Sequence, residues 1–308
     1  MFLREMKSTA TTCCEWQIFY PANAGNERER YEGKLIIQFI PNVRKIVQKS
    51  QKEKGIFMKL DHRIVVLKAL VGSHNYNLNT ESSDKDYKYF VLPTLDDLYN
   101  GTIFSASKVS NTVDYSAHDV RKLDHLLWKA NVNFLEVLYS QELTFLGEAG
   151  KLKDFLLENR AELCKMNLPY LYNACLGFAT GQWSSIKKDT PMNHGSIEKY
   201  GYSIKAAYQS IRMLDFIDRM VRYNFDFQKA IWYEGEIQGL LLAVKLGLRS
   251  FDAVEQWYDE LLETAKEHKP IFENCGYQAE GPNVELRERL RATVKDLIFD
   301  NVRAGVIL

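Results

Sequence analysis

The stretch Val65 to Pro93, VVLKALVGSHNYNLNTESSDKDYKYFVLP, sets the tightest limits on what this chain can become. It opens with an apolar, β-branched run, breaks at Gly72-Ser73 and crosses a short polar segment. It then reaches Asp84-Lys85-Asp86 at the head of a second, aromatic and apolar run. Runs of this composition separated by turn residues read as strands. Because side chains alternate along a strand, Asp84 and Asp86 point to the same face. The Gly-Ser turn just upstream offers backbone N–H groups and a hydroxyl suited to a polyphosphate. Paired carboxylates beside a phosphate cradle are the parts of a metal-dependent nucleotidyl-transfer site.

Gly72-Ser73, then Tyr76 and Leu78, then Ser83-Asp84-Lys85-Asp86 resemble the G-S…S-D-x-D signature of the DNA polymerase β-like nucleotidyltransferase superfamily. Within it, the match is to the bacterial and phage branch named after an RNA repair pathway, usually worded G-S-x-x-Y-G-L-x-T-x-x-S-D-x-D. One position departs: Asn77 stands where that branch commonly has Gly. Asn tolerates positive φ, so the turn survives the change. The resemblance implies an α+β chain, with a small polymerase β-like domain built on a mixed sheet and an all-α C-terminal domain after it. It also implies an NTP donor, two Mg²⁺ ions as cofactors with Mn²⁺ as a substitute, and transfer of NMP to an acceptor hydroxyl. An RNA 3′ end is the first acceptor. Nucleotidylation of a protein hydroxyl is the alternative, and a non-catalytic nucleotide-binding module is a third reading.

The catalytic and metal-binding set expected on this basis is Asp84, Asp86 and Asp114. The third-strand pattern of similar proteins, V-D-x-x-x-x-D-x-R-K, is matched by Val113-Asp114 and by Asp119-Val120-Arg121-Lys122, so Asp119 is a rival third carboxylate. A strand residue can project beside Asp84 and Asp86, which favours Asp114; Asp119 suits a helix N-cap. Gly72, Ser73 and Ser83 are expected at the nucleotide. So are Lys205, Tyr208 and Arg212, which resemble the family's K-x-x-Y/H-x-x-x-R helix and share one helical face. Lys122 and His74 are further candidates. Asn131 and Glu136 match an N-x-N-x-x-E segment, as a helix cap and as an orienting or architectural carboxylate. Lys187 and Lys188 near Trp183 are weighed as a backbone grip for nucleic acid against a core role for Trp183.

Formal net charge is zero, which removes any global electrostatic argument for nucleic-acid binding and leaves only local basic surface. Five cysteines without a C-x-x-C pair read as reduced thiols in a cytoplasmic protein, neither a disulfide frame nor a zinc site. No apolar run approaches the roughly 20 residues of a membrane span. Three segments are expected: an extension over 1–57, a nucleotidyltransferase domain over 58–140 and a helical domain over 141–308. The extension carries ten Lys/Arg against six Asp/Glu, and a strand or short helix fits 34–49. Lys54-Gly55 shortly before Met58 back-translates to a purine-rich ribosome-binding sequence, so a start at Met58 stands beside a genuine N-terminal arm as readings of 1–57.

Residue spacing predicts a short helix capped by Asp61 leading into a strand that ends near Val71, a strand over 86–92 and a helical turn over 95–99. A hairpin or successive strands over 103–107 and 109–115 follow, then helix from 118 to 130 and a turn or two over 134–139. Long helices are expected at about 147–159, 161–186, 196–223, 229–247, 251–268 and 283–301.

Overall fold

The first described residues form a hairpin in place of the helix expected at Asp61. In the computed structural model, which describes residues 58–109, 113–147, 149–274 and 281–307, β1 (Lys59–Leu60) turns into β2 (Arg63–Val71). The two turn residues, Asp61 and His62, have φ of 47° and 65°. Left-handed backbone at both positions gives the turn whose twist suits a two-residue hairpin, and Asp tolerates it. Asp61 pairs with Arg63 across the turn at 2.8 Å and caps no helix. The element expected over 34–49, and the question of residues 1–57, lie outside the described residues.

β3 (Lys85–Val91) runs antiparallel to β2. Pro93 follows, and Thr94 forms a capping box with Asp97 that starts α1 (Leu95–Tyr99). β4 (Ser105–Lys108) then pairs antiparallel with β5 (Val113–Asp119), which lies parallel to β3. A further strand, β6 (Leu143–Phe145), adds to β2 beside β1 and brings residues past 140 into the sheet. The order is β1-β2-β3-β5-β4, with β6 on β2. Helix was expected from His118, but the ladder with β3 runs on until Asp119 meets Val91. Strand pairing there overrides the helical spacing of Val120, Leu123 and Leu127, which pack only after a 3₁₀ turn leads into α2 (Leu123–Trp128).

One face of the sheet carries Val65, Leu70, Tyr87, Tyr89, Val91 and Ala117 in a small cluster of its own. The other face, with Val66, Phe90 and Leu92, belongs to the main core shared with the helices. These are α3 (Val132–Leu135), α4 (Gly150–Lys165), α5 (Leu168–Ser184), α6 (His194–Tyr200), α7 (Ile204–Arg222), α8 (Phe227–Ile231), α9 (Gly235–Lys245), α10 (Phe251–Glu273) and α11 (Val284–Arg303). Asn131 caps α3 through the Asn133 amide, as expected. Three of the long helical spans divide at cap chemistry. Asn167 accepts from the Tyr170 amide and Pro169 takes the first turn of α5. Gly201, at φ 77°, ends α6 before Ser203 caps α7. Gly235, at φ 65°, opens α9. α7 sits at the centre, with buried residues on all sides, packed by α5, α8, α9 and α10. Among the described residues no helix is long and apolar enough to cross a membrane.

Candidate active site

The site begins where β2 ends. Gly72 to Tyr76 form a 3₁₀ turn that leaves the sheet, and Asn77 closes it at φ 61° and ψ 35°. The left-handed tolerance expected of Asn at this position is therefore used. Its side chain also donates to the Tyr233 carbonyl at 2.9 Å. Asn77→Ala keeps the strained backbone but loses both advantages. It is expected to cost about 1–2 kcal/mol, read as a fall of roughly 3–6 °C in a thermal melt. Asn77→Gly should cost less, since the backbone is then relaxed.

Glu136 holds this turn from below. It is 1% exposed, and its carboxylate accepts from the Gly72 amide at 2.9 Å and from the Tyr76 hydroxyl at 2.6 Å. Asn75 Nδ2 adds a longer bond at 3.3 Å to the same oxygen as Gly72. Burial raises the Glu136 pKa, while Tyr76, Lys88, Gly72 and Arg212 oppose that shift. Of the two roles weighed for Glu136, the architectural one is the role its bonds describe.

Beyond the turn, β3 and β5 bring carboxylates together. Asp86 lies opposite Asp114 in parallel register, and Lys88 opposite Ser116. Burial raises the Asp86 pKa first, then the charge of Asp114; Lys88 opposes, Asp84 adds to the rise and Lys205 opposes it. Asp84, exposed just before β3, thus acts on Asp86 through its charge but does not line the cleft. Asp119 stands apart. Five residues along β5 from Asp114, it falls on the opposite face by strand alternation. It is fully buried, receives the Arg121 amide at 2.9 Å and pairs with the Arg121 guanidinium at 2.6 Å. Lys122 follows in the same 3₁₀ turn, outside the cleft lining.

A cleft of about 950 Å³ opens over these residues, walled on the far side by α6 and α7. Gly72, Ser73, Asp86 and Asp114 line one wall, and Lys205, Tyr208 and Arg212 the other. Lys205 is exposed, whereas Arg212 is 4% exposed, with its guanidinium 4.3 Å above the Tyr76 ring. The buried Tyr208 hydroxyl and Arg212 Nη1 have no hydrogen-bond partner. Asp215 pairs loosely with Arg219 at 3.9 Å, not with Arg212. Ser83 Oγ accepts from the Thr80 amide at 2.9 Å, and His74 Nε2 meets the Ser83 carbonyl at 3.0 Å, so both residues tie the loop before Asp84. Trp183 stacks on Tyr258 with centroids 3.7 Å apart, and Lys187 lies over Phe251 at 3.9 Å; this is the core role weighed for Trp183.

Two cations here were not singled out from the sequence. Lys88 lies two residues past Asp86 on the same strand face, a position that alternation alone would have marked. It is largely buried, and burial lowers its pKa against the pull of Glu136 and Asp86. Lys245 reaches the cleft from the end of α9, far away in sequence, where no local pattern points to it.

Gly72 has a second constraint. Its φ is +77°, and a Cβ there would lie 2.8 Å from Asp86 Oδ2. Gly72→Ala must therefore strain the turn and push the carboxylate aside. We expect about 1–2 kcal/mol of destabilisation and, since an ångström of misplacement can cost about 100-fold in rate, a fall in activity far larger than the stability change implies.

Among the described residues, no group of three or more His, Cys, Asp or Glu side chains is arranged to hold a metal ion. The facing Asp86 and Asp114 are hard oxygen donors whose charges oppose each other, the donor chemistry that Mg²⁺ accepts. No curated protein matches the chain significantly. A family model, RlaP, described as the RNA repair pathway DNA polymerase beta family, matches residues 42–216, which takes in every cleft-lining residue named above except Lys245.

Proposed function

Because the chain belongs to the RNA repair pathway DNA polymerase beta family and so has a nucleotidyltransferase-type role, we propose that it transfers NMP from an NTP to the 3′ hydroxyl of an RNA. The carrying observation is the register of Asp86 with Asp114 across a cleft from the Lys205–Arg212 helix. The acceptor oxygen attacks the α-phosphorus, the bond to the bridging oxygen of the β-phosphate breaks, and pyrophosphate leaves. Asp86 and Asp114 would hold Mg²⁺ in the cleft, with Asp84, just outside its lining, as the further carboxylate; bound metal would neutralise the triphosphate and lower the pKa of the attacking hydroxyl.

The chain's own groups divide the remaining work. The Gly72 amide serves Glu136 and keeps the turn in shape; Ser73 offers its hydroxyl to a phosphate. Lys205 at the rim and Lys88 on the floor supply positive charge where negative charge gathers on the leaving group. The Tyr208 hydroxyl and Arg212 Nη1 are buried donors without acceptors. Such groups cost about 1–3 kcal/mol each, a cost that acceptor oxygens of a bound nucleotide would relieve. Asp114, in register with Asp86, would take the proton of the incoming hydroxyl.

The test is incubation with each α-labelled NTP, Mg²⁺ and whole-cell extract, beside an Asp84→Ala/Asp86→Ala control. RNase-sensitive label that requires both aspartates is the expected result. Protease-sensitive label would make a protein hydroxyl the acceptor, and no label in either fraction would contradict the transferase reading.

A further inference from the structure

The loop 77–84 joins the Gly72–Tyr76 turn to the carboxylate strand, so its position sets where Asp84 and Asp86 stand. Little of it is held by the sheet. Besides local ties to Ser73 and His74 and within 80–83, it is held by a segment 150 or more residues downstream, past the end of the family-matched region. The Tyr233 amide donates to the Tyr76 carbonyl at 3.0 Å, and Asn77 Nδ2 returns a bond to the Tyr233 carbonyl at 2.9 Å. Gln238 Nε2 donates to the Asn77 carbonyl at 2.7 Å. Lys245 Nζ then donates both to the Leu78 carbonyl at 2.7 Å and to Ser83 Oγ at 3.1 Å. One ammonium thus closes the loop at both ends, and the bonds of a charged donor are the strong kind.

The helix that carries Lys245 is itself fixed. Lys245 is the last residue of α9, and Gly247 just beyond has φ +70°. A Cβ on Gly247 would lie 2.6 Å from both Tyr200 and Ile204, which line the cleft on α6 and α7. That close approach presses the end of α9 against the opposite wall. The cleft's two walls are therefore set relative to each other through α9.

We propose that α9 braces the carboxylate loop, and that Lys245 is the positioning residue through which residues 233–245 set the placement of Asp84 and Asp86. The effect on transfer rests on the nucleotidyltransferase reading; the brace itself does not, and the two can fail separately.

The experiment uses the full-length chain and two readouts. In metal-free, nucleotide-free buffer, Lys245→Met is expected to speed amide hydrogen exchange over 76–86 by about tenfold while exchange within α7 stays unchanged. Lys245→Arg, which keeps a charged donor, should restore most of the protection. With NTP and Mg²⁺, Lys245→Met should lower kcat by about tenfold or more and change KM less than about threefold. Unchanged exchange over 76–86 in Lys245→Met would overturn the brace. A raised KM with kcat kept would make Lys245 a phosphate ligand and also overturn it. Should Lys245→Met fail to fold, Gln238→Leu removes only the bond to Asn77; faster exchange over the same amides supports the brace, and none refutes it. A wild-type chain without transferase activity would end the functional reading and leave the exchange result standing.

Discussion

Asp86→Asn should lose nucleotidyl transfer by about a thousandfold or more while remaining at least as stable as the wild type at neutral pH. Asp86 faces Asp114 in the ladder and feels Asp84 as well, so its ionised form is opposed by both burial and like charge. Its pKa is consequently raised in the folded chain. A carboxyl that binds its proton more tightly when folded favours the folded state at low pH, and that favour is lost as pH rises through the raised pKa. As pH rises toward neutral the wild type loses that favour, whereas Asn at the same position has none to lose. Thermal melts in EDTA should therefore show Asp86→Asn equal to or above wild type at pH 7, with the advantage shrinking toward acid pH. A variant that is inactive because it is unfolded would show the reverse.

Glu136→Ala is expected to be the most damaging single change outside the carboxylate set. It strips acceptors from the Gly72 amide, the Tyr76 hydroxyl and Asn75 Nδ2, and it removes a buried negative charge that acts on both Lys88 and Arg212. Removing one partner of such a buried charged group costs about 3–5 kcal/mol, or roughly 10 °C in a melt for a chain of this size. Transfer should fall with stability, since Gly72 abuts Asp86. Glu136→Gln keeps the shape but turns one acceptor oxygen into a donor facing other donors, and should lie between the two. Denaturant unfolding of the three proteins measures this order directly. Wild-type stability in Glu136→Ala would show that the turn is held by something else.

What could be read from the sequence was what depends on neighbours along the chain. Gly72-Ser73, Asn77 and the Asp84/Asp86 pair are matters of turn chemistry and alternation, both local. Asp114 and Asp119 were both marked by the third-strand pattern; that they fall on opposite faces follows from strand parity, which requires knowing that β5 runs through both. That length was misjudged because Val120, Leu123 and Leu127 have helical spacing, while the Asp114, Ser116 and His118 alternation belongs to the strand. Asp61 looked like a helix cap because Asp serves caps and left-handed turns alike. Glu136 and Lys245 carry no local mark of what they hold. Their partners lie about 60 residues away for Glu136 and more than 160 for Lys245, and only tertiary contact assigns them.

The central claim is that the carboxylates gathered on β3 and β5 work a metal-dependent transfer. Its most direct test measures pyrophosphate released and α-labelled nucleotide incorporated by purified wild type and Asp114→Asn, with Mg²⁺ and then with EDTA. The account predicts equal release and incorporation in the wild type with Mg²⁺, and loss of both with Asp114→Asn or with EDTA. Incorporation at the wild-type rate by Asp114→Asn would contradict it.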